Sequence, residues 1–253
     1  MKKIIAAALL SFSLNSFADN APLWLRFCSI SPDGQTIAFS YKGDLFSVPV
    51  NGGIAKQLTT NPAYDAYPIW SPDGQKIAFA STREGSMDIY LMNKNGGVPK
   101  RLTTNSGSEI PMAFTDNNHV LFSSAIMPTA KSIFFASGTF PQTYEVNIDA
   151  SRPRLYSPIT MCDANVKSNG DILYHDVKGY EDNFRKHHRS PVTRDIWLYS
   201  KGNYTKLTYF NGEDRTPVWA ANDNAYYYLS EEDGTFNVYK RNIDGSGKKQ
   251  LTF

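Results

Sequence analysis

The densest run of chemically capable side chains is Arg185-Lys-His-His-Arg189, flanked by Tyr180, Glu181 and, further on, Arg194. Guanidinium, ammonium and imidazole groups in succession suit an acidic side chain or a terminal carboxylate, because Arg grips carboxylates through two parallel hydrogen bonds. The same run also reads as a solvated loop whose cations pair with Glu181 and Asp182 and bind nothing. Tyr180, Glu181, Arg185, Lys186, His187, His188, Arg189 and Arg194 are therefore the candidate peptide- or partner-binding residues. No catalytic set accompanies them. The histidines are His119, His175, His187 and His188, none of them in a His-Glu-x-x-His pattern, and Cys28 and Cys162 lack paired ligand spacing. Side chains as close in sequence as His187 and His188 diverge, so neither a metal nor another cofactor is expected. Gly245-Ser-Gly247 falls short of a nucleophile elbow and reads as a turn, and Lys248 stands at the wrong spacing for a phosphate loop. Asp44, Asp88 and Asp195 recur once per unit, which points to a turn hydrogen bond rather than to catalysis.

These residues hang on a repeated frame. Ser71-Pro-Asp-Gly-Gln-Lys-Ile-Ala-Phe79 is followed by Asp88-Ile-Tyr90, Gly96-Gly97 and Leu102-Thr103. Ser31-Pro-Asp-Gly-Gln-Thr-Ile-Ala-Phe39, Asp44-Leu-Phe46, Gly52-Gly53 and Leu58-Thr59 repeat the series. Tyr226-Tyr-Tyr228, Asn237-Val-Tyr239, Asp244-Gly245 and Leu251-Thr252 do so again. Two degraded copies lie between, marked by Val120-Leu-Phe122 and Gln142-Thr-Tyr144, then by Ile172-Leu-Tyr174, Asp195-Ile-Trp197 and Leu207-Thr208. The first intervals fit the roughly 40–45 residues of a propeller blade, and the later ones need insertions. Each unit reads as four short strands, with Ser-Pro-Asp-Gly as a type I turn after the first. The fold class is thus all-β, a β-propeller of four-stranded antiparallel blades. About five repeats are present (approximately 24–61, 68–105, 111–160, 163–211 and 217–253), as a closed five-bladed ring or an incomplete six-bladed one. In an incomplete ring, the first and last blades would carry bare edges. The recurrent aromatics Phe39, Phe79, Phe122, Tyr174 and Tyr228 read as core between blades.

In such a strand order, the connection between second and third strands shares a face with the link to the next blade. The extra residues of repeats 3 and 4, roughly 123–140 and 176–194, both fall in second-to-third connections. Long loops on one side of a rigid scaffold commonly carry binding. The candidate residues lie in the second insertion. The first, with Ala125-Ile-Met-Pro and Ser132-Ile-Phe-Phe135, is more apolar and is expected to pack on the rim or on another domain.

Lys2-Lys3, the apolar run Ile4 to Leu10 and Ser16-Phe17-Ala18 form the pattern of a secretory signal peptide over 1–18, leaving a propeller at 19–253. The expected location is the periplasm, and no segment is apolar enough to span a membrane. The chain has 26 basic and 24 acidic residues, so removal of Lys2 and Lys3 leaves it formally neutral. A neutral chain has no overall field to attract nucleic acid. Cys28 and Cys162 fall in distant repeats and are expected as buried, unpaired thiols.

Ser-Pro-Asp-Gly-x-x-Ile-Ala-Phe, Asp-Ile-Tyr, Gly-Gly and Leu-Thr resemble the repeats of TolB-type and tricorn-type propellers. More finely, Ala21-Pro-Leu-Trp-Leu-Arg26, Ser40-Tyr-Lys-Gly-Asp44, Lys178-Gly-Tyr-Glu-Asp182, Arg185-Lys-His-His188 and Val192-Thr-Arg-Asp-Ile-Trp197 are similar to secreted tricorn-like S41 serine peptidases. That resemblance implies a propeller that selects or gates peptides for PDZ-like and peptidase regions lying C-terminal to it or in a partner chain. The family's catalytic residues belong to those regions, so no position here inherits a catalytic role. The other implied role is a TolB-like interaction scaffold unrelated to proteolysis.

Overall fold

The computed structural model describes residues 24–126, 141–180, 190–221 and 224–253. The described residues form five antiparallel four-stranded sheets, each taken from consecutive strands in order. Blade 1 comprises β1 (Arg26–Ile30), β2 (Thr36–Tyr41), β3 (Asp44–Pro49) and β4 (Lys56–Gln57). Blade 2 comprises β5 (Asp65–Trp70), β6 (Lys76–Glu84), β7 (Ser86–Asn93) and β8 (Lys100–Arg101). Blade 3 has β9 (Glu109–Asp116), β10 (His119–Ser124), β11 (Gln142–Asn147) and β12 (Arg154–Ser157). Blade 4 has β13 (Cys162–Val166), β14 (Ile172–His175), β15 (Ile196–Ser200) and β16 (Asn203–Lys206). Blade 5 has β17 (Asp214–Trp219), β18 (Ala225–Ser230), β19 (Asn237–Asn242) and β20 (Lys249–Gln250). The protein is therefore a five-bladed propeller, as the repeats indicate. The expected leader at 1–18 lies outside the described residues, and among them no helix is long and apolar enough to cross a membrane.

The repeated motifs have local causes. In the Ser-Pro-Asp-Gly turns, the Gly34 and Gly74 amides donate to the carbonyls of Ser31 and Ser71, both at 2.8 Å. The Ser31 and Ser71 hydroxyls donate to Asp33 and Asp73, at 2.5 and 2.6 Å, and hold those carboxyls below their usual range. The threonine of each Leu-Thr pair closes the outer side of a blade. Thr59, Thr103, Thr208 and Thr252 accept the amides of Leu45, Ile89, Ile196 and Val238 at 2.8–3.0 Å. A short fourth strand thereby satisfies an amide that its ladder does not reach.

Side chains alternate along each strand, so every blade has one face for the preceding blade and one for the next. Ala38, Leu45 and Leu58 of blade 1 meet Ile77, Phe79, Tyr90 and Met92 of blade 2. Ala78, Ile89, Leu91 and Leu102 meet Val120, Phe122, Tyr144 and Val146 in the next seam. Leu121 joins Ala164, Ile172 and Tyr174, and Leu173, Ile196 and Leu207 meet Tyr226, Tyr228 and Tyr239. The core is thus four repeats of one seam. The first strands pack successively, β1 on β5, β5 on β9, β9 on β13 and β13 on β17. Among the described residues, no comparable packing joins β17 to β1. The two outermost faces record this. Leu251 is 40% exposed, whereas its counterparts Leu58, Leu102 and Leu207 are 7%, 3% and 8% exposed. Ile37, Phe46 and Val48 are half-buried, where Ile77, Tyr90 and Met92 are buried.

Candidate functional site

Four of the five innermost strands carry the same irregularity. The pairing register shifts within β1, β5, β13 and β17, and Phe27, Tyr67, Asp163 and Thr216 sit there at φ of +52°, +55°, +48° and +53°. Such values are costly for residues with a Cβ and persist only where surrounding structure enforces them. The bulges meet in pairs. The Phe27 and Tyr67 rings lie 3.9 Å apart, and the Thr216 hydroxyl donates to Asp163 at 2.9 Å. Burial raises the Tyr67 phenol pKa, and Asp163 of blade 4 adds to the shift.

Around this collar stands a network of charge. His175, at the end of β14, is buried, and its Nδ1 accepts the Thr216 amide at 3.3 Å while lying 3.7 Å from Asp163. Burial first, then the cations Arg194 and Arg215, lower its pKa to about 4 against the pull of Asp163 and Glu213. His175 is thus a neutral imidazole whose proton sits on Nε2. Arg194 and Arg215 both pair with the buried Glu213, whose amide donates to Glu231 at 2.9 Å. One step outward, Asp176 accepts the Asp195 amide at 2.8 Å and the Trp197 indole at 3.1 Å. Lys178 bonds to Asp195, and Lys206 reaches the same carboxylate at 2.8 Å.

This network anchors both ends of the second insertion. Asp176 and Lys178 lead into it, and Thr193 to Asp195 lead out. Of the residues expected from sequence to bind a partner, Tyr180 is 82% exposed beside it. Arg194 is placed differently from a free ligand-binding cation, because it is tied to Glu213. Its position just before β15 sets it against the start of β17, so it locks blade 4 to blade 5. Glu181, Arg185, Lys186, His187, His188 and Arg189 lie outside the described residues, as do 127–140 of the first insertion. The described ends of both insertions join second to third strands in adjacent blades, which puts them on one face of the disc.

The arrangement is suited to holding loops and not to nucleophilic attack. Cys162 and His175 oppose each other across β13 and β14, the one place where a thiol faces an imidazole among the described residues. Burial pushes the Cys162 thiol up to about 11 while His175 is held neutral. A reactive pair needs the reverse, a thiolate beside an imidazolium. Both cysteines are free, but neither is fully buried as expected: Cys28 is exposed, because among the described residues no blade covers that side of β1, and Cys162 is half-buried. Among the described residues, no group of three metal-ligating side chains assembles.

Sequence reasoning missed the acids that open the first strands, Asp65, Glu109 and Asp214, all buried. Their signal was available as one carboxylate at the same place in three repeats. Asp44, Asp88 and Asp195, read as turn residues, instead pair with side chains of the outer strands. Asp44 accepts from Gln57 at 3.0 Å and Asp88 pairs with Arg101 at 2.7 Å.

Comparison with known proteins adds an outside view. The profile of the family described as "Tricorn protease N-terminal beta propeller domain" matches residues 22–253. The Tricorn protease homolog 1 of Streptomyces coelicolor is 35% identical over 71 residues, covering 28% of this chain and 6% of its own length. The crystal structure of the tricorn protease superposes with a TM-score of 0.72 at 20% identity, over 90% of this chain and 22% of that one. TolB from Acinetobacter baumannii superposes with a TM-score of 0.65 at 18% identity, over 91% of this chain and 54% of that one. The chain therefore spans a small part of the tricorn relatives it matches.

Proposed function

This chain belongs to the tricorn protease N-terminal β-propeller domain family, and on that premise we propose that it is a protein- or peptide-binding propeller without catalysis of its own. The observation that carries the reading is the placement of two long second-to-third-strand connections, in adjacent blades, on one face of a rigid scaffold. The Arg194–Glu213 and Lys178–Asp195 pairs clamp the root of the second connection, so a ligand there meets a surface held in place. Exposed Tyr180 supplies an aromatic contact of the kind enriched at interfaces. The candidate residues from Glu181 to Arg189 add cations suited to an acidic group or a peptide carboxylate.

The family's name favours a second, finer reading. In it the propeller selects or gates peptides for a serine-peptidase domain carried elsewhere, in a longer polypeptide or a partner chain. Export to the periplasm through the leader at 1–18 belongs to both readings.

The test is capture from envelope extract by the immobilised protein, comparing the natural chain with one in which 180–190 is replaced by a short Gly-Ser link. Loss of bound proteins or peptides on replacement supports the reading, and unchanged capture contradicts it. Loss confined to peptidase-containing partners favours gating. Loss of partners without peptidase activity favours the scaffold.

A further inference from the structure

Blade 1 departs from the other blades in how it places charge on the face that bears the insertions. Two residues before the bulge of the innermost strand, blades 2 and 5 carry the buried acids Asp65 and Asp214, whereas blade 1 carries Leu25 and then Arg26. Arg26 pairs with Ser40 beside the two-residue turn Lys42-Gly43, which joins β2 to β3 as the insertions join second to third strands in blades 3 and 4. The other arginines described at this face each have a buried acid. Arg83 pairs with Asp65 at 2.7 Å, and Arg194 and Arg215 pair with Glu213. Among the described residues, no carboxylate pairs with Arg26 or Lys42. Both cations lie instead over aromatic rings, Arg26 at 5.4 Å from the centre of Trp24 and Lys42 at 5.3 Å from that of Tyr41. A ring face attracts a cation without consuming the N–H donors, which stay free for an anion. The two cations line one cavity of about 380 Å³ with Trp24, Tyr41 and Tyr64, and no acid lines it. A second cavity of about 450 Å³ shares Lys42, Gly43 and Tyr64 with the first, so the two adjoin along that wall and continue over the link 60–63. The acid of the second cavity, Asp44, is already engaged by Gln57 and Thr59, at 3.0 and 3.2 Å.

We propose that this groove over blade 1 binds an acidic side chain, aspartate or glutamate, carried within an extended segment of a partner protein or peptide. A carboxylate in the first cavity gives Arg26 what Asp65 gives Arg83, and the guanidinium can grip it through two parallel hydrogen bonds. Lys42 adds a second positive charge from a hairpin tip too short to swing away. Trp24, 75% exposed, and Tyr64, 40% exposed, offer ring surface to the apolar flanks of the segment. The adjoining cavity favours an internal acid over a chain end, because the segment can run on past Tyr64. The groove belongs to blade 1 and the loop 180–190 leaves blade 4, so this site goes beyond the role given to that loop.

The experiment is calorimetric titration of the full chain with three probes: acetyl-Ala-Ala-Glu-Ala-Ala-amide, the same peptide with Gln for Glu, and acetyl-pentaalanine with a free carboxyl end. The Glu peptide should bind about fivefold or more tightly than the Gln peptide, and added salt should narrow the difference. Arg26→Gln and Lys42→Gln should each bring the two affinities together. Arg152→Gln, at an exposed arginine in the β11–β12 turn of the opposite face, should leave the difference intact. Arg26 and Lys42 are exposed, so both variants should melt within about 2 °C of the natural protein, which separates lost binding from lost folding. Equal binding of the Glu and Gln peptides, no binding of the Glu peptide at millimolar concentration, or a difference that survives both Arg26→Gln and Lys42→Gln overturns the site. Tighter binding of free-ended pentaalanine than of the Glu peptide overturns the choice of an internal acid. Failure here leaves capture through 180–190 standing, and loss of that capture leaves this groove standing.

Discussion

Leucine-to-alanine changes at equivalent positions in two blades test whether the seams are as unequal as they look. Leu102 and Leu251 occupy the same place in the Leu-Thr motif. Leu102 is 3% exposed inside the seam between blades 2 and 3, whereas Leu251 is 40% exposed on the uncovered face of blade 5. Truncating a buried leucine costs about 2–5 kcal/mol, because the transfer energy is lost and a cavity remains. At Leu251, water already reaches the side chain and fills the space, leaving only part of the transfer energy at stake, about 1 kcal/mol. For a chain of this size, each kcal/mol lowers the melting temperature by about 2–4 °C. Leu102→Ala should therefore melt at least 4 °C lower than the natural protein, and Leu251→Ala about 2–4 °C lower. Differential scanning calorimetry of both variants at one protein concentration reads the difference. Equal losses would mean that the outer face of blade 5 is covered and that the description of an uncovered seam is mistaken.

Thr103→Val removes the acceptor for the buried Ile89 amide and should cost about 1–3 kcal/mol in denaturant unfolding, whereas Thr252→Val on the exposed rim should cost less. Thiol labelling should modify exposed Cys28 rapidly and Cys162 more slowly, since Cys162 is half-buried and burial pushes its thiol up to about 11; equal rates would contradict the packing of β13. His175 takes up a proton near 6.5 when unfolded and near 4 when folded, so it lowers stability as pH falls from about 6.5 through about 4. His175→Gln should flatten that part of a melting-temperature profile. Glu109 acts with the opposite sign. Its folded pKa of about 7 stands above the unfolded 4.5, so its contribution is full below 4.5 and is lost as pH rises through 7, and Glu109→Gln should remove that decline.

The repeats were readable because each copy carries punctuation that physics dictates. Proline and glycine fix the Ser-Pro-Asp-Gly turn, and the threonine of Leu-Thr must accept a stranded amide. Strand pairing and the shared seam followed from alternation alone, and so did the common face of the two insertions. The collar at the axis was not legible. A bulge at Phe27, Tyr67, Asp163 and Thr216 places four different side chains in one backbone conformation, so no residue type marks it. Arg194 was picked out for its charge, but the sequence could not reveal that Glu213, at the head of the next blade, would claim it. Glu109 escaped notice because its burial, which lifts its pKa to about 7, depends on neighbours brought from two blades.

The central claim, that partners are held on the face bearing the two insertions, is tested most directly by site-directed photocrosslinking. A photoreactive phenylalanine analogue replaces Tyr180 on that face in one variant, and Asn95, in the exposed turn on the opposite face, in another. Irradiation in envelope extract should give discrete adducts from position 180 and few from position 95. The same adducts at both positions, or adducts at 95 alone, would contradict the account.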